Sequence, residues 1–139
     1  MKAISEHAQE LRVAGFSSQF LTFVERQKRI SIDDENFFVD LVFYNRILRC
    51  FVLIELKLGK LTHKDLGQLQ MYVNYFDREI KDASENPAIG ILLCSDKKET
   101  IVRYTLPKEN KTIFASKYRI YLPKKEEWNR AMRKSLMDS

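Results

Sequence analysis

Two consecutive apolar runs carry charged residues in their interiors, and this limits what the chain can fold into. Phe37 to Tyr44 (FFVDLVFY) reads as a strand from its aromatic and β-branched content, yet Asp40 stands between Val39 and Leu41. Ile47 to Leu58 (ILRCFVLIELKL) reads as the next strand, ended by Gly59, yet Glu55 and Lys57 interrupt it. Charged side chains are rarely buried without a partner or a task. Strand side chains alternate, so Glu55 and Lys57 share a face. A turn centred between Ile47 and Leu48 sets Asp40 directly across from Glu55. A register slipped by two leaves the pair diagonal, still on one face.

Two carboxylates at cross-strand distance repel when both are ionised. A bound divalent cation removes that conflict, and hard oxygen ligands without His or Cys suit Mg2+ or Mn2+. Such an ion polarises a phosphate oxygen and acidifies a water. Lys57 would orient the attacking water or offset charge on phosphorus, which makes the set a recipe for phosphodiester hydrolysis. The same residues also read as a salt bridge from Lys57 to Asp40 or Glu55 on a solvated sheet face. Spacing alone does not separate the two readings.

Around this pair the expected order is α-βββ-α-β-α-β(β)-α, an α/β domain with a mixed sheet. Residues 3–13 suit a short amphipathic helix stopping near Gly15, and Phe20 to Ile32 suits a strand followed by the polar turn Asp33 to Asn36. From Thr62 to Asp82 the period changes. Leu66, Leu69, Val73, Phe76 and Ile80 recur at steps of three and four, the stripe of an amphipathic helix. Thr62 with Asp65 forms a capping-box pattern at its start. Gln68 and Tyr72 lie four apart on that helix, flanking the stripe; taken alone they read as an amide and a phenol at the rim of the core. Ala88 to Ser95 is nearly all apolar, as a strand covered on both faces should be. Asp96 would cap a helix reaching about Leu106, residues 112–122 would add one or two edge strands, and Lys124 to Met137 would form a last helix carrying Trp128.

The 139 residues suit one domain, 1–139, with only 4 Gly and 3 Pro. No apolar run is long enough to span a bilayer and no signal peptide is visible, so no membrane partner is expected. Cys50 and Cys94 sit in apolar runs and read as free thiols of a reducing, cytoplasmic compartment. Two Cys with the distant His7 and His63 make no structural zinc site. Neither a glycine-rich phosphate loop nor a nucleophile-elbow triad is present. The net charge of +5 is uneven: residues 103–134 hold ten Lys or Arg against three Glu. A basic tail on a near-neutral body suits a polyanion such as nucleic acid, or simply keeps the chain soluble.

The ordered set is more specific than its parts. Asp40, a hairpin, Glu55-Leu56-Lys57, then Gln68 and Tyr72 in Gln-X-X-X-Tyr resembles the PD-(D/E)XK nuclease superfamily, in its QxxxY-containing branch. Arg26-Gln27, FVDLVFYNR (Phe38 to Arg46), LRCFVLIELKLG (Leu48 to Gly59), LGQLQMY (Leu66 to Tyr72) and NPAIGILLCSDK (Asn86 to Lys97) resemble the YhcG-type nuclease domain of bacteria, over about residues 23–123. Val39 stands where the superfamily name has Pro. The resemblance implies a restriction-endonuclease-like fold, a mixed four-stranded core sheet flanked by helices. It implies metal binding by Asp40 and Glu55, with the Leu56 carbonyl as a third ligand, and Lys57 as the catalytic lysine. Gln68 would lie at the site edge, and Tyr72 would pack or contact the nucleic-acid backbone. Arg26, Gln27, Lys124 and Lys125 are further expected nucleic-acid contacts. The implied function is a DNA endonuclease domain dependent on Mg2+ or Mn2+, with an additional N-terminal domain expected in proteins of this type and missing from this sequence. The alternatives are a non-catalytic nucleic-acid-binding module on the same fold, or an assembly subunit forming a homodimer through Phe37, Phe43 and Tyr75.

Overall fold

The computed structural model describes residues 20–117, together with Arg130 and Arg133, which are helical and exposed. The expected first helix, most of the expected last helix with Lys124, Lys125 and Trp128, and the end of the 112–122 segment lie outside the described residues. The described elements are β1 (Leu21–Ile32), β2 (Glu35–Asn45), β3 (Cys50–Lys60), α1 (His63–Tyr75) running into a π-helical turn (Phe76–Ile80), β4 (Ile89–Asp96), α2 (Glu99–Thr105) and β5 (Ile113–Lys117). The strands form one sheet in the order β1-β2-β3-β4-β5. β1, β2 and β3 pair antiparallel, whereas β3, β4 and β5 pair parallel. The sheet is therefore mixed, as expected, and among the described residues it has five strands, one more than the four-stranded core that the resemblance implied. β1 is a full member because it pairs along all of β2, from Leu21↔Asn45 to Ile32↔Glu35.

Local chemistry sets the boundaries. Asp33 and Asp34 both have positive φ, which shrinks the β1–β2 connection to a two-residue turn whose twist suits a hairpin. At the next turn, Asn45 Oδ1 accepts from the N–H groups of Ile47 and Leu48, at 3.0 and 2.9 Å. That side-chain turn, with Arg49 left-handed, delays β3 to Cys50 instead of Ile47. α1 opens with the expected capping box: the Asp65 N–H donates to the Thr62 side chain, and the Asp65 carboxylate accepts from Thr62 N–H.

Residues alternate cleanly between two cores on β3 and β4. Leu53, Leu92 and Cys94 face Leu66, Leu69, Val73 and Phe76 of the helical layer. Val52, Ile54, Ile91 and Leu93 belong to a second cluster with Phe43 and Cys50. Burial on both faces explains why both strands read as nearly continuous apolar runs.

Four sequence expectations are corrected here. Ile80 is 37% exposed and leaves the helix stripe. The π turn, closed by Lys81 N–H to Phe76 O at 2.8 Å, adds a residue to the last turn and rotates Ile80 off the buried face. Tyr72 takes a place in the core instead, edge-on to Phe37 at 6.4 Å between ring centroids. Asp96 does not cap α2: it ends β4, and its carbonyl accepts from Leu61 N–H, while Lys98 stands at the helix start without a side-chain bond. The aromatic dimer surface is not presented, since Phe43 is buried and Phe37 and Tyr75 are half-buried against the helical core. Among the described residues no helix is long and apolar enough to cross a membrane.

α1 seats on β4 through Gly90. A Cβ there would lie 2.8 Å from Leu69 Cγ, 2.9 Å from Val73 Cγ2 and 3.0 Å from Ile113 Cδ1. Gly90→Ala should therefore overpack the helix–sheet seam by about 1–3 kcal/mol and lower the thermal midpoint by several degrees. Calorimetric melting of the variant checks this; an unchanged midpoint would mean that the seam yields.

Candidate active site

The β2–β3 backbone ladder runs from Asn45↔Cys50 to Leu41↔Ile54 and stops one residue short of Asp40 and Glu55. The register is the one set by a turn centred between Ile47 and Leu48, so the two acids face each other. In place of backbone pairing they exchange side-chain bonds. Asp40 N–H donates to Glu55 Oε1 at 3.0 Å, and Leu56 N–H donates to Asp40 Oδ2 at 2.8 Å. Each carboxylate thus caps the free backbone of the opposite strand, satisfying donors that the ended ladder leaves over. Asp40 Oδ1 is engaged from the other side, by Gln27 Nε2 of β1 at 3.0 Å.

The electrostatics follow from this crowding. Burial pushes the Glu55 carboxyl up from 4.5 to about 8. The N–H bond from Asp40 opposes that rise, while the charges of Asp40 and Asp65 add to it. Tyr72, whose ring is buried beneath, has its hydroxyl pushed to about 12, by burial first and then by the charges of Glu55 and Asp40. It stays protonated at any physiological pH. Its burial places it among the packing residues, the first of the two roles that the resemblance implied.

Lys57 follows Glu55 on the same strand face, and its Nζ lies 3.3 Å from Asp65 Oδ1 on the first turn of α1. Asp65 Oδ2 meanwhile accepts from Thr62 N–H and Oγ1, at 2.8 and 2.9 Å. Burial works against the Asp65 charge, but the Thr62 bonds and the Lys57 ammonium outweigh it and hold its carboxyl below the usual range. Asp65 is a site residue that the sequence reading used only as a helix cap; its signal was a position just past the end of the Glu55-Leu56-Lys57 strand. Gln68 lies three residues further along α1 and is exposed. Arg26 is exposed on β1 beside Gln27. The fold therefore gathers Asp40, Glu55, Lys57, Asp65 and Gln27, leaves Gln68 and Arg26 at the exposed margin, and buries Tyr72.

The donor set suits a hard cation. Among the described residues no group of three or more His, Cys, Asp or Glu is placed to hold a metal. The site instead offers two adjacent carboxylates, one of them resisting ionisation in the absence of a counter-charge. A small divalent ion that keeps water and phosphate oxygens as its other ligands matches such a pair.

One pH dependence follows for the metal-free protein. The folded chain keeps the Glu55 proton where the unfolded chain has lost it, so this stabilisation is complete below about pH 4.5 and is lost as pH rises through about 8. In EDTA the thermal midpoint should fall over that window, and Glu55→Gln should flatten the slope. Parallel slopes for both proteins would remove Glu55 as its source.

A family model described as the YhcG PDDEXK nuclease domain matches residues 3–136. A curated protein of Escherichia coli (strain K12) named "Putative nuclease YhcG" is 44% identical over 101 residues, covering 73% of this chain and 27% of that protein. The chain thus spans about a quarter of that relative's length. Among solved structures, the crystal structure of a repair endonuclease from Pyrococcus abyssi is similar with a TM-score of 0.50 at 16% identity, over 85% of this chain and 46% of that one. The structure of an EndoMS-dsDNA2 complex gives a TM-score of 0.53 at 16% identity, over 86% of this chain and 46% of that one. At such identity the likeness shows the fold, which is the restriction-endonuclease-like one that the sequence motifs implied. The family model takes in Asp40, Glu55, Lys57, Gln68 and Tyr72 in a single span, and this chain belongs to the YhcG PDDEXK nuclease domain family.

Proposed function

We propose that this domain hydrolyses phosphodiester bonds of DNA with Mg2+ or Mn2+ held between Asp40 and Glu55. The observation that carries the reading is the reciprocal capping of the two strands by those carboxylates, which leaves two acids side by side where the ladder opens. When bound, the ion supplies charge for a phosphate oxygen and lowers the pKa of a neighbouring water. The Leu56 carbonyl would add a third oxygen ligand.

The chain's own residues do the rest. Asp40 and Glu55 would hold the ion, which would supply positive charge at the scissile phosphate. Lys57 places an ammonium on the face of Glu55, where it orients the attacking water and balances negative charge on phosphorus as one P–O bond forms and another breaks. Asp65 restrains that ammonium from the helix end. Gln68 stands at the exposed edge, and Arg26 offers a guanidinium to a flanking phosphate. The basic stretch 103–134 would add sequence-independent affinity, with Arg130 and Arg133 exposed three residues apart.

The deciding experiment incubates the chain with plasmid and branched DNA in Mg2+, Mn2+ or EDTA. Cleavage that EDTA abolishes supports the reading, and no cleavage under any metal overturns it. Lys57→Ala should cut the cleavage rate by a factor on the order of 10² while changing DNA binding little, because one preorganised contact to developing charge outweighs one phosphate contact among several. Gln68→Ala should lose less. Equal losses of binding and activity in both variants would make these residues a docking surface.

The tail makes a separate prediction. If it contacts phosphates, affinity should fall steeply with salt, and charge reversal at Lys124, Lys125 and Arg130 should flatten the slope. An unchanged slope leaves the tail a solubilising surface.

A further inference from the structure

Gln27 is the one described non-glycine residue with positive φ that lies inside a strand; Asp33, Asp34 and Arg49 occupy turns. Its φ is 51°, in the left-handed region that side chains other than Asn, Asp and His seldom adopt. It sits between the pairs Arg26↔Leu41 and Lys28↔Val39, so the residue opposite it on β2 is Asp40. β2 also breaks its alternation at that level. Val39 and Val42 belong to the same core cluster, although residues three apart on a regular strand point to opposite faces. The left-handed residue of β1 and the break in the alternation of β2 thus fall at one rung, the rung that carries Asp40.

The bond from Gln27 Nε2 to Asp40 Oδ1 supplies the second observation. With Leu56 N–H on Oδ2, it leaves each Asp40 oxygen held from a different strand. Two fixed donors, one on each oxygen, set the plane of the carboxylate and the direction of its remaining lone pairs. An uncommon backbone conformation beside a functional carboxylate persists when the surroundings hold it there, and here it aims the amide.

From this geometry we infer that Gln27 is a positioning residue: its left-handed backbone delivers the side-chain amide that orients Asp40 for a divalent cation. The inference rests on the metal reading of Asp40 and Glu55. It reassigns Gln27, which the sequence motif suggested as a nucleic-acid contact, to the support of a ligand. Partners of this kind, one shell outside the metal, commonly change its affinity by about 10- to 100-fold.

The test separates orientation from folding. Gln27→Gly relieves the backbone conformation and deletes the amide. Gln27→Met keeps the side-chain length and removes only the donor. Both should bind Mn2+ about tenfold more weakly by calorimetry, while in EDTA the Gly variant melts no lower than wild type, because glycine accepts positive φ freely. Asp40→Ala is the control and should abolish binding. If both Gln27 variants bind Mn2+ as wild type does while Asp40→Ala does not, the positioning role is wrong and the metal site stands. If melting temperature and Mn2+ affinity fall together in both variants, Gln27 holds the sheet together and orients nothing. If Asp40→Ala binds Mn2+ normally, the metal reading falls and takes this inference with it.

Discussion

The organising interaction is the exchange between Asp40 and Glu55 at the end of the β2–β3 ladder. Two strands that part company leave backbone N–H groups without partners, and a sheet ordinarily meets that with water or a turn. Here the donors of Asp40 and Leu56 are taken by carboxylates from across the gap, at 3.0 and 2.8 Å. The same bonds that end the ladder therefore build the site. The cost is electrostatic: two acids are brought together in a half-buried place, and Glu55 resists ionisation until a positive charge arrives.

Topology explains why a lysine and a helix end arrive at the same place. β3 runs antiparallel to β2 and parallel to β4, so the chain must cross over the sheet between β3 and β4, and it does so through α1. Only Leu61 and Thr62 separate the strand from the helix. With so short a link, the first turn of α1 stands beside the last residues of β3, and Asp65 meets Lys57. The capping box adds a constraint. Because Asp65 is bound by Thr62 through one oxygen and by Lys57 through the other, forming the helix start also restrains the ammonium.

Much of this was legible in the sequence, for identifiable reasons. Asp40, Glu55 and Lys57 were conspicuous because a strongly apolar setting makes a charge expensive, and strand alternation then put Glu55 and Lys57 on one face. Two registers were open, and strand alternation left Asp40 and Glu55 on one face in either; the observed ladder is the one that sets them directly opposite. The capping box and the doubly covered β4 were local patterns of residue type. What was not legible depends on non-local geometry. Nothing in the helical periodicity signals that a π turn will rotate Ile80 outward and that Tyr72 will take a core position against Phe37. Asn45 gave no sign that its side chain would hold the turn open to Cys50. A left-handed Gln27 cannot be read from propensity, because its conformation is imposed by the hairpin around it.

A carboxylate placed by strand alternation alone has its direction set only as well as one rotamer is set. Asp40 is held from β1 and β3 at once, so its direction depends on three strands in fixed register. A strand with neighbours on both sides offers that arrangement, and β2 lies between β1 and β3. Glu55, on β3, has the parallel strand β4 on its other side, and burial is the chief cause of its raised pKa. The two acids therefore differ in kind. Asp40 is the oriented member, kept in line by donors on both sides, and Glu55 is the strained member, whose reluctance to ionise is what a bound cation would relieve.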